Sequence, residues 1–394
     1  MSRRFSQTWL AYQASSSCVF SNAIFFVFYH DQVGLSSEII FVLQAYNIAL
    51  RAVLDLPLGA FADRRSRRLC LMFGAVGVLL ASLLLVVSPT LVAACVAETL
   101  FAVATALRSG ADSALLYDAL READQLEDYP RNEGRGHAFA AFGAGAAAVV
   151  GGLLAAIDLR LPYAATVLAA AVSILLASRL PEAQRAAATT GRAFDLGSLR
   201  MAVRRAATTP GLGWAVGLAT FTVVASHVYF YLQQPYLRSI EVPLALFGLV
   251  FAATKIVTAM VASVAHRVDA GRGERGTAAL MGAVPALGLG MMALVSGPLG
   301  VLAILSRGLL DGLWMPLVNI YVNRRADSDV RATTLSLMNV VSRLALAAAL
   351  ACLGWTLARY GLAATLLGCA LASGAAGALL VWLAPPAPTP ALAS

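Results

Sequence analysis

The sequence predicts an all-α membrane protein in which twelve helices cross the bilayer in two pseudo-symmetric halves of six. Three observations predict this class. The chain is 59% hydrophobic and only 13% charged, with a mean hydropathy of +0.76, whereas a soluble domain has about 25% charged residues. Apolar runs of about 20 residues, the length that crosses a bilayer, follow one another almost without interruption. The basic residues are concentrated in alternate loops between these runs.

The apolar runs place the membrane spans, and the polar stretches separate the halves. The longest polar stretch, residues 181–209, is predicted to be a cytoplasmic loop between an N-terminal half, 1–180, and a C-terminal half, 210–384. The Pro- and Ala-rich tail, 385–394, is predicted to be disordered. We predict spans at 8–30, 37–62, 69–88, 91–119, 137–157, 161–180, 210–234, 243–267, 277–296, 299–323, 331–358 and 361–384.

The arginines determine the predicted orientation. Most of them fall in loops on the side of the N-terminus, and the opposite side holds only Arg160, Arg238 and Arg359. Because basic residues favour the cytoplasmic side, both termini are expected to be cytoplasmic, which requires an even number of spans.

Several other classes of protein are excluded by composition and spacing. A membrane barrel requires alternating apolar residues, and these runs are continuous. The net charge of +8 lies in short loops, so it does not indicate nucleic-acid binding. The sequence has no phosphate-binding glycine loop, no His-Glu-x-x-His and no Cys-x-x-Cys spacing. We therefore expect no enzyme activity, no cofactor and no metal site.

The two halves share a short pattern. Arg108 and Asp112 in the fourth span have the same Arg-x-x-x-Asp spacing as Arg307 and Asp311 in the tenth. Two repeated six-helix halves with a binding site between them are typical of secondary transporters.

The hairpin between the second and third spans resembles the major facilitator superfamily. That family has the pattern Gly-x-x-x-Asp-Arg/Lys-x-Gly-Arg-Arg/Lys here, and Gly59, Asp63, Arg64, Arg67 and Arg68 match it, with a serine at the usual glycine. The stretches 109–118 and 331–336 resemble a prokaryotic branch grouped with drug and metabolite exporters. The glycine-rich fifth span, 143–152, lacks the proline of the family's antiporters.

The charged residues Asp55, Arg108 and Asp112 near the cytoplasmic ends of their spans predict a gate that locks the two halves, and the resemblance implies that Asp63, Arg64 and Arg67 belong to it. Direct contact with substrate is the alternative interpretation of the charged residues near the cytoplasmic ends of the spans. The predicted gate residues are Asp55, Gly59, Asp63, Arg64, Arg67, Arg108 and Asp112.

Polar residues recur at helical spacing within several spans, as Gln44, Asn47, Arg51 and Asp55 do on one stripe of the second span, and they predict a central aqueous cavity. An ionisable group at membrane depth costs at least about 2.5–3.5 kcal/mol, so each is a functional candidate. Lys255 is the only lysine in the chain; it is either a titrating amine or the partner of Asp311 or Asp55 in an ion pair. The predicted substrate-binding residues are Asn22, Arg51, His227, Lys255, Arg307, Asn339 and Arg343.

Glu98 and Asp311 are the predicted proton-coupling residues. Glu98 has no basic residue within one turn of its own helix, so burial should favour its neutral form unless another helix supplies a partner. Cations slightly outnumber anions within the spans, which favours an anionic or zwitterionic substrate.

We therefore expect a monomeric transporter in a bacterial inner membrane that works by alternating access. Its expected partners are a small organic or amphiphilic substrate, protons and membrane lipid, with no nucleic acid. Proton-coupled export is the first expectation. Two alternatives are proton-coupled import of an anionic metabolite and flipping of a lysolipid or another lipid.

Overall fold

The computed structural model of the chain describes residues 3–64, 66–182, 208–209, 211–295, 297–323, 325 and 328–385. Every secondary-structure element in this described part is helical. Ten helical segments of this described part are long and apolar enough to cross a membrane, so the chain is a multi-pass membrane protein. The count of twelve spans and the cytoplasmic position of the termini stay predictions.

Twelve α-helices are labelled here in chain order, with their bounds. They are α1 Arg3–Ser16, α2 Phe25–Val27, α3 Ser37–Arg64, α4 Arg67–Val87, α5 Leu91–Arg108, α6 Ala111–Glu122, α7 Tyr129–Ala155, α8 Leu161–Ser178, α9 Leu212–Ser239, α10 Leu244–Leu294, α11 Pro298–Asn323 and α12 Ser328–Trp382. Two 3-10 helices, Phe20–Ala23 and Leu126–Asp128, and a π-helix, Phe28–Gln32, complete the set of described elements.

The chain forms two compact units. Unit 1 comprises Met1–Asp195 and Leu237–Ala252, and unit 2 comprises Leu196–Tyr236 and Ala253–Ser394. Each unit has its own apolar core. Buried core residues include Trp9, Tyr12, Leu71 and Leu116 in unit 1, and Trp214, Leu218, Leu310, Leu317 and Tyr321 in unit 2. Most of the predicted central loop, 181–209, and of the predicted tail, 385–394, lies outside the described residues.

The positions at which helices break differ from the ends of the predicted spans. The first predicted span, 8–30, is not one helix, because α1 ends at Ser16 and 3-10, α and π turns follow it. The fourth is interrupted at Gly110, which has a φ of 75°. Conversely, α10 and α12 run across predicted loops, with single non-helical residues at Gly273 and Gly361. Glycine adopts positive φ without steric cost, so one residue suffices for each break.

Helix contacts in unit 1 depend on small residues of α7. A Cβ atom added at Gly143 would overlap the carbonyl oxygen of Ala14, and one added at Gly151 would overlap that of Phe20. Lipid chains are as apolar as side chains, so close van der Waals contact between helices takes the place of the hydrophobic driving force. The glycine-rich α7 therefore holds the broken first span in place.

This contact gives a first prediction. We expect Gly151→Ala to destabilise the protein by about 1–3 kcal/mol, because the added methyl group overlaps backbone that cannot move aside cheaply. Thermal unfolding in detergent measures the effect. Gly145→Ala on the same helix is the matched control, since a Cβ there meets no atom within 4 Å. Equal melting temperatures for the two variants would contradict the role assigned to Gly151.

Candidate functional site

A buried carboxylate lies in unit 1, where α3, α5 and the π-helix Phe28–Gln32 meet. Glu98 on α5 is 5% exposed. Gln44 and Asn47 occupy positions i and i+3 of α3, so both side chains lie on the same face of that helix. The π-helix supplies Tyr29, which is also buried. These four residues are called the Glu98 cluster.

Three neutral donors surround the Glu98 carboxylate. The Tyr29 hydroxyl donates to Oε1 at 2.7 Å, and Gln44 Nε2 donates to the same oxygen at 2.8 Å. Asn47 Nδ2 donates to Oε2 at 2.8 Å and to the Glu98 backbone carbonyl at 2.9 Å. The arrangement therefore fits an ionised carboxylate, which accepts hydrogen bonds and donates none.

Protonation of Glu98 would change this network. A protonated carboxyl group must donate one hydrogen bond, and each of its three neighbours now donates to it. A hydroxyl group can rotate to accept a hydrogen bond, and an amide can turn its oxygen towards the donor. One proton on Glu98 thus requires at least one of these partners to reorient.

The π-helix also supplies an ion pair at the surface of unit 1. Asp31 Oδ1 accepts a hydrogen bond from Arg238 Nη1 at 2.6 Å, and His30 Nδ1 lies 3.0 Å from the same oxygen. Arg238 belongs to the 237–252 segment of unit 1, whose Gly248 lies against the Ala148 backbone of α7. Tyr29 and Asp31 lie two residues apart in the same π-turn. Tyr29 bonds to the buried Glu98, and Asp31 bonds to Arg238 at the surface.

In unit 2, a glycine pair brings α10 and α11 together. A Cβ added at Gly308 would lie 2.8 Å from the Thr254 carbonyl oxygen, and one added at Gly312 would lie 2.7 Å from that of Thr258. Gly308 and Gly312 form a Gly-x-x-x-Gly pattern, which allows helix backbones to approach closely in membranes. Arg307 and Asp311 flank these glycines and thus face Lys255 on α10.

Three charged side chains meet at this contact. Asp311 Oδ2 lies 3.2 Å from Arg307 Nη2 and 3.7 Å from Lys255 Nζ. Ser226 of α9 donates a hydrogen bond to Asp311 Oδ1. We call Ser226, Lys255, Arg307 and Asp311 the Asp311 cluster. With His227 neutral, two cations share one carboxylate, which leaves a positive charge in excess.

Arg307 is the most enclosed member of the Asp311 cluster. It is 6% exposed, and its guanidinium carbon lies 5.0 Å above the centre of the Phe230 ring. Its Nη1 is buried and finds no hydrogen-bond acceptor in the part of the chain that the structure describes. A buried donor without an acceptor is costly, so this atom is suited to an anionic ligand.

The predicted gate residues occupy different environments in unit 1. Arg67 forms an ion pair with Asp118 and donates to the Ala114 carbonyl at 2.7 Å. Arg108 Nη1 donates to the Ser16 carbonyl at 2.7 Å, where α1 ends. Asp112 Oδ1 accepts the Ser113 backbone N–H at 2.9 Å. Asp55 is half-buried near the end of α3, and Gly59 has open space around it. The side chains of Asp63 and Arg64 lie outside the described residues.

The remaining predicted binding residues are spread over both units. Arg51 of unit 1 and Arg343 of unit 2 are half-buried, and Asn22 and Asn339 are exposed. His227 Nδ1 lies 2.8 Å from the Val223 carbonyl of its own helix. Lys255, Arg307 and Asp311 are thus the predicted residues that the structure joins in one cluster.

Some site residues were not among the sequence predictions. Tyr29 was one of several aromatic residues in the run 25–29, and only the π-turn directs it at Glu98. Ser226 precedes His227 in the sequence but has no pattern of its own. No group of three or more His, Cys, Asp or Glu side chains among the described residues could hold a metal ion.

These helices define the class of the chain as a multi-pass, all-helical membrane protein. The family model of the Major Facilitator Superfamily matches residues 8–350. The chain therefore belongs to the Major Facilitator Superfamily. No curated protein matches the sequence significantly.

Solved structures share the fold at low sequence identity. A point mutant of the nucleoside transporter NupG has a TM-score of 0.83 at 12% identity, covering 96% of this chain and 99% of its own. A D-xylose-proton symporter has a TM-score of 0.73 at 14% identity, covering 98% of each chain. A bacterial homologue of the human lysosomal transporter Spinster has a TM-score of 0.70 at 13% identity, covering 97% of each chain.

The charge balance of the Asp311 cluster gives a second prediction. Asp311→Asn leaves Lys255 and Arg307 close together without an anion, and we expect a loss of about 3–5 kcal/mol in stability. Adding Lys255→Gln to this variant should restore much of the loss, because one of the two repelling cations is removed. Thermal unfolding of the single and double variants in detergent measures the coupling. Strictly additive effects would show that the two side chains do not interact.

Proposed function

We propose that this chain is a proton-coupled secondary transporter of a small organic solute that bears an anionic group. The solute would bind at the Asp311 cluster, and alternating access would move it across a bacterial inner membrane. The observation that supports the anionic group is the buried Arg307, whose Nη1 has no acceptor among the described residues. An incoming carboxylate or phosphate would satisfy that donor and balance the excess positive charge.

The chemistry of the two cations supports different contacts with such a solute. Arginine presents a planar fork of donors that matches a carboxylate or phosphate, whereas lysine is a compact point charge. Arg307 is held in place by Asp311 and the Phe230 ring. Lys255 is 35% exposed on its side chain and lies at the edge of the cluster. Arg307 would therefore orient the anionic group, and Lys255 would attract it.

The Glu98 cluster is the proposed site of proton coupling. Among the described residues, the hydrogen-bond partners of the Glu98 carboxylate are neutral donors, so it would gain or lose a proton without breaking an ion pair with them. Protonation of Glu98 must reorient Tyr29, Gln44 or Asn47. Because these side chains belong to the π-helix and to α3, protonation would change the contacts of those helices with α5. The D-xylose-proton symporter, a proton-coupled protein by its name, shares the fold. Asp311 is the second proposed coupling residue, because it links Arg307 to Lys255.

Export is the proposed direction, and the monomer is the proposed active form. Export is supported by the resemblance of the stretches 109–118 and 331–336 to exporters. Inside-out and right-side-out vesicles, energised by an imposed pH gradient, test the direction. Export predicts uptake of the solute into inside-out vesicles. Uptake into right-side-out vesicles alone would contradict export and indicate import.

The anionic group gives a third prediction, tested by thermal shift of the purified protein. Ligand binding raises apparent stability by mass action, so we expect some carboxylates or phosphate esters to raise the melting temperature. Each is compared with its amide or alcohol of the same shape. Arg307→Gln should weaken binding of the anionic member by about 10- to 200-fold, equivalent to about 1.5–3 kcal/mol for a charged hydrogen bond. Lys255→Arg, which keeps the charge, is the control. Equal shifts by the charged and neutral members would contradict an anionic substrate.

Proton coupling gives a fourth prediction. We expect Glu98→Gln to abolish accumulation driven by a pH gradient, because a glutamine cannot exchange a proton. Exchange of labelled for unlabelled solute across proteoliposomes needs no net proton movement, so it should remain. Asp118→Asn, which removes the carboxylate that pairs with Arg67 outside the Glu98 cluster, serves as a comparison in the same assay. If the Glu98→Gln variant accumulated the solute at the rate of the unsubstituted protein, Glu98 would not be the coupling residue. Asp311 would then be the coupling candidate.

A further inference from the structure

Unit 2 contains an apolar cavity that neither cluster uses. Its volume is about 520 Å³, within the range of roughly 300–1,000 Å³ that is usual for small-molecule sites. The walls come from α9, from the part of α12 before Gly361 and from the part after it. They include Phe221, Val228, Cys352, Tyr360, Gly368 and Cys369.

Small residues create this space. Ala349, Ala364, Gly368, Ala372 and Ala376 all line the cavity, and a Cβ added at Gly368 would meet no atom within 4 Å. The corresponding helices of the N-terminal half are close together, since Gly143 and Gly151 of α7 touch backbone atoms at Ala14 and Phe20. Small residues thus leave a gap in unit 2 where similar residues close a contact in unit 1.

The walls offer little to water. The hydroxyl of Thr356 donates to the Leu353 carbonyl at 3.1 Å, and that of Thr365 donates to the Gly361 carbonyl at 2.8 Å. Both groups therefore already bond to their own helix, and the other two hydroxyl groups of the walls are those of Tyr360 and Ser373. A water molecule needs about two to four polar partners in a cavity, and apolar cavities stay dry without them. The natural occupant is an apolar chain.

One side of the cavity is open at the surface of unit 2. Cys352, Tyr360, Ala364, Gly368 and Ala372 are exposed lining residues. Large apolar side chains beside them are exposed as well, namely Trp355, Leu367 and Leu371. A membrane lipid can reach the cavity from this side without crossing water.

The end of the cavity near Gly361 has the chemistry of a membrane interface. Tyr360 lines the cavity, and its ring meets that of Trp355 edge to face, with the ring centres 5.6 Å apart. Exposed Trp and Tyr side chains mark the level of lipid headgroups. Arg359, which is also exposed, adds a positive charge beside them.

We propose that this cavity binds one acyl chain of an anionic phospholipid, with the headgroup phosphate at Arg359. The apolar walls would hold the chain, and the charge of Arg359 would favour an anionic headgroup over a zwitterionic one. The site is separate from the Asp311 cluster and does not depend on the proposed substrate.

A cysteine in the cavity wall can report whether the cavity is occupied. Cys352 is an exposed lining residue, and Cys95 of unit 1 is an exposed thiol outside the cavity. We expect phosphatidylglycerol, added to delipidated protein in detergent, to slow modification of Cys352 by a small apolar thiol reagent about tenfold, with Cys95 unchanged. Peptide mass spectrometry measures each cysteine separately. Equal protection of both thiols would overturn the proposal.

Filling the cavity tests the same site by retention of the lipid. Native mass spectrometry of the purified protein counts bound phosphatidylglycerol. Gly368→Leu should weaken retention about tenfold or more, because each methylene that is no longer buried costs roughly a factor of four. Ala363→Leu places the same side chain at an exposed residue that does not line the cavity, and it should retain the lipid. Equal retention by both variants would overturn the proposal.

The headgroup and the alternative occupant are tested separately. Arg359→Gln should remove the preference for phosphatidylglycerol over phosphatidylcholine while leaving chain binding intact, and an unchanged preference would overturn the assignment of the phosphate to Arg359. Protection of Cys352 by a solute found in the thermal-shift panel, with none by phospholipid, would show that the cavity belongs to the substrate and would overturn the lipid proposal.

Discussion

The cost of placing charge in a membrane is the constraint on which both clusters depend. With no water in the hydrocarbon core, each polar group must find its partners within the protein. Unit 1 meets this requirement at Glu98 with three neutral donors, and unit 2 meets it at Asp311 with two cations and a serine. The two solutions have different consequences. A neutral shell lets a carboxylate gain a proton without stranding a cation, whereas a shell with excess positive charge attracts an anion.

Both solutions depend on how closely the helices approach. A hydrogen bond weakens steeply when its distance or angle departs from a narrow range, so the donors must be fixed by the backbone. Gly308 and Gly312 set the separation of α10 and α11, and they flank Arg307 and Asp311 in sequence. The residues that create the charged cluster and those that bring its helices together thus belong to the same turns of one helix. A substitution that widened this contact would also separate Lys255 from Asp311.

The sequence predicted those parts of the site that follow helical periodicity. Gln44 and Asn47 were predicted on one stripe of the second span, Glu98 was identified by its lack of a basic neighbour, and Arg307 and Asp311 were paired by their spacing. What periodicity cannot predict is a departure from the α-helix. The first span was expected to be one helix over 8–30, and the π-turn that directs Tyr29 at Glu98 appears only in the structure. Partners from distant segments, such as Ser226 for Asp311 and Asp118 for Arg67, likewise have no signal in a single sequence.

The same π-turn connects two kinds of chemistry. Tyr29 donates to a buried carboxylate, and Asp31, two residues later, pairs with Arg238 at the surface. A π-helix is less favourable than an α-helix and is found mostly as single turns at functional sites, so its five residues need outside contacts to hold them. The hydrogen bond to Glu98 and the ion pair to Arg238 are two such contacts. Because both act on one short segment, a proton that changes the first also changes the balance of forces on the second. In the proposed proton coupling, the broken first span would pass a change at Glu98 on to the 237–252 segment.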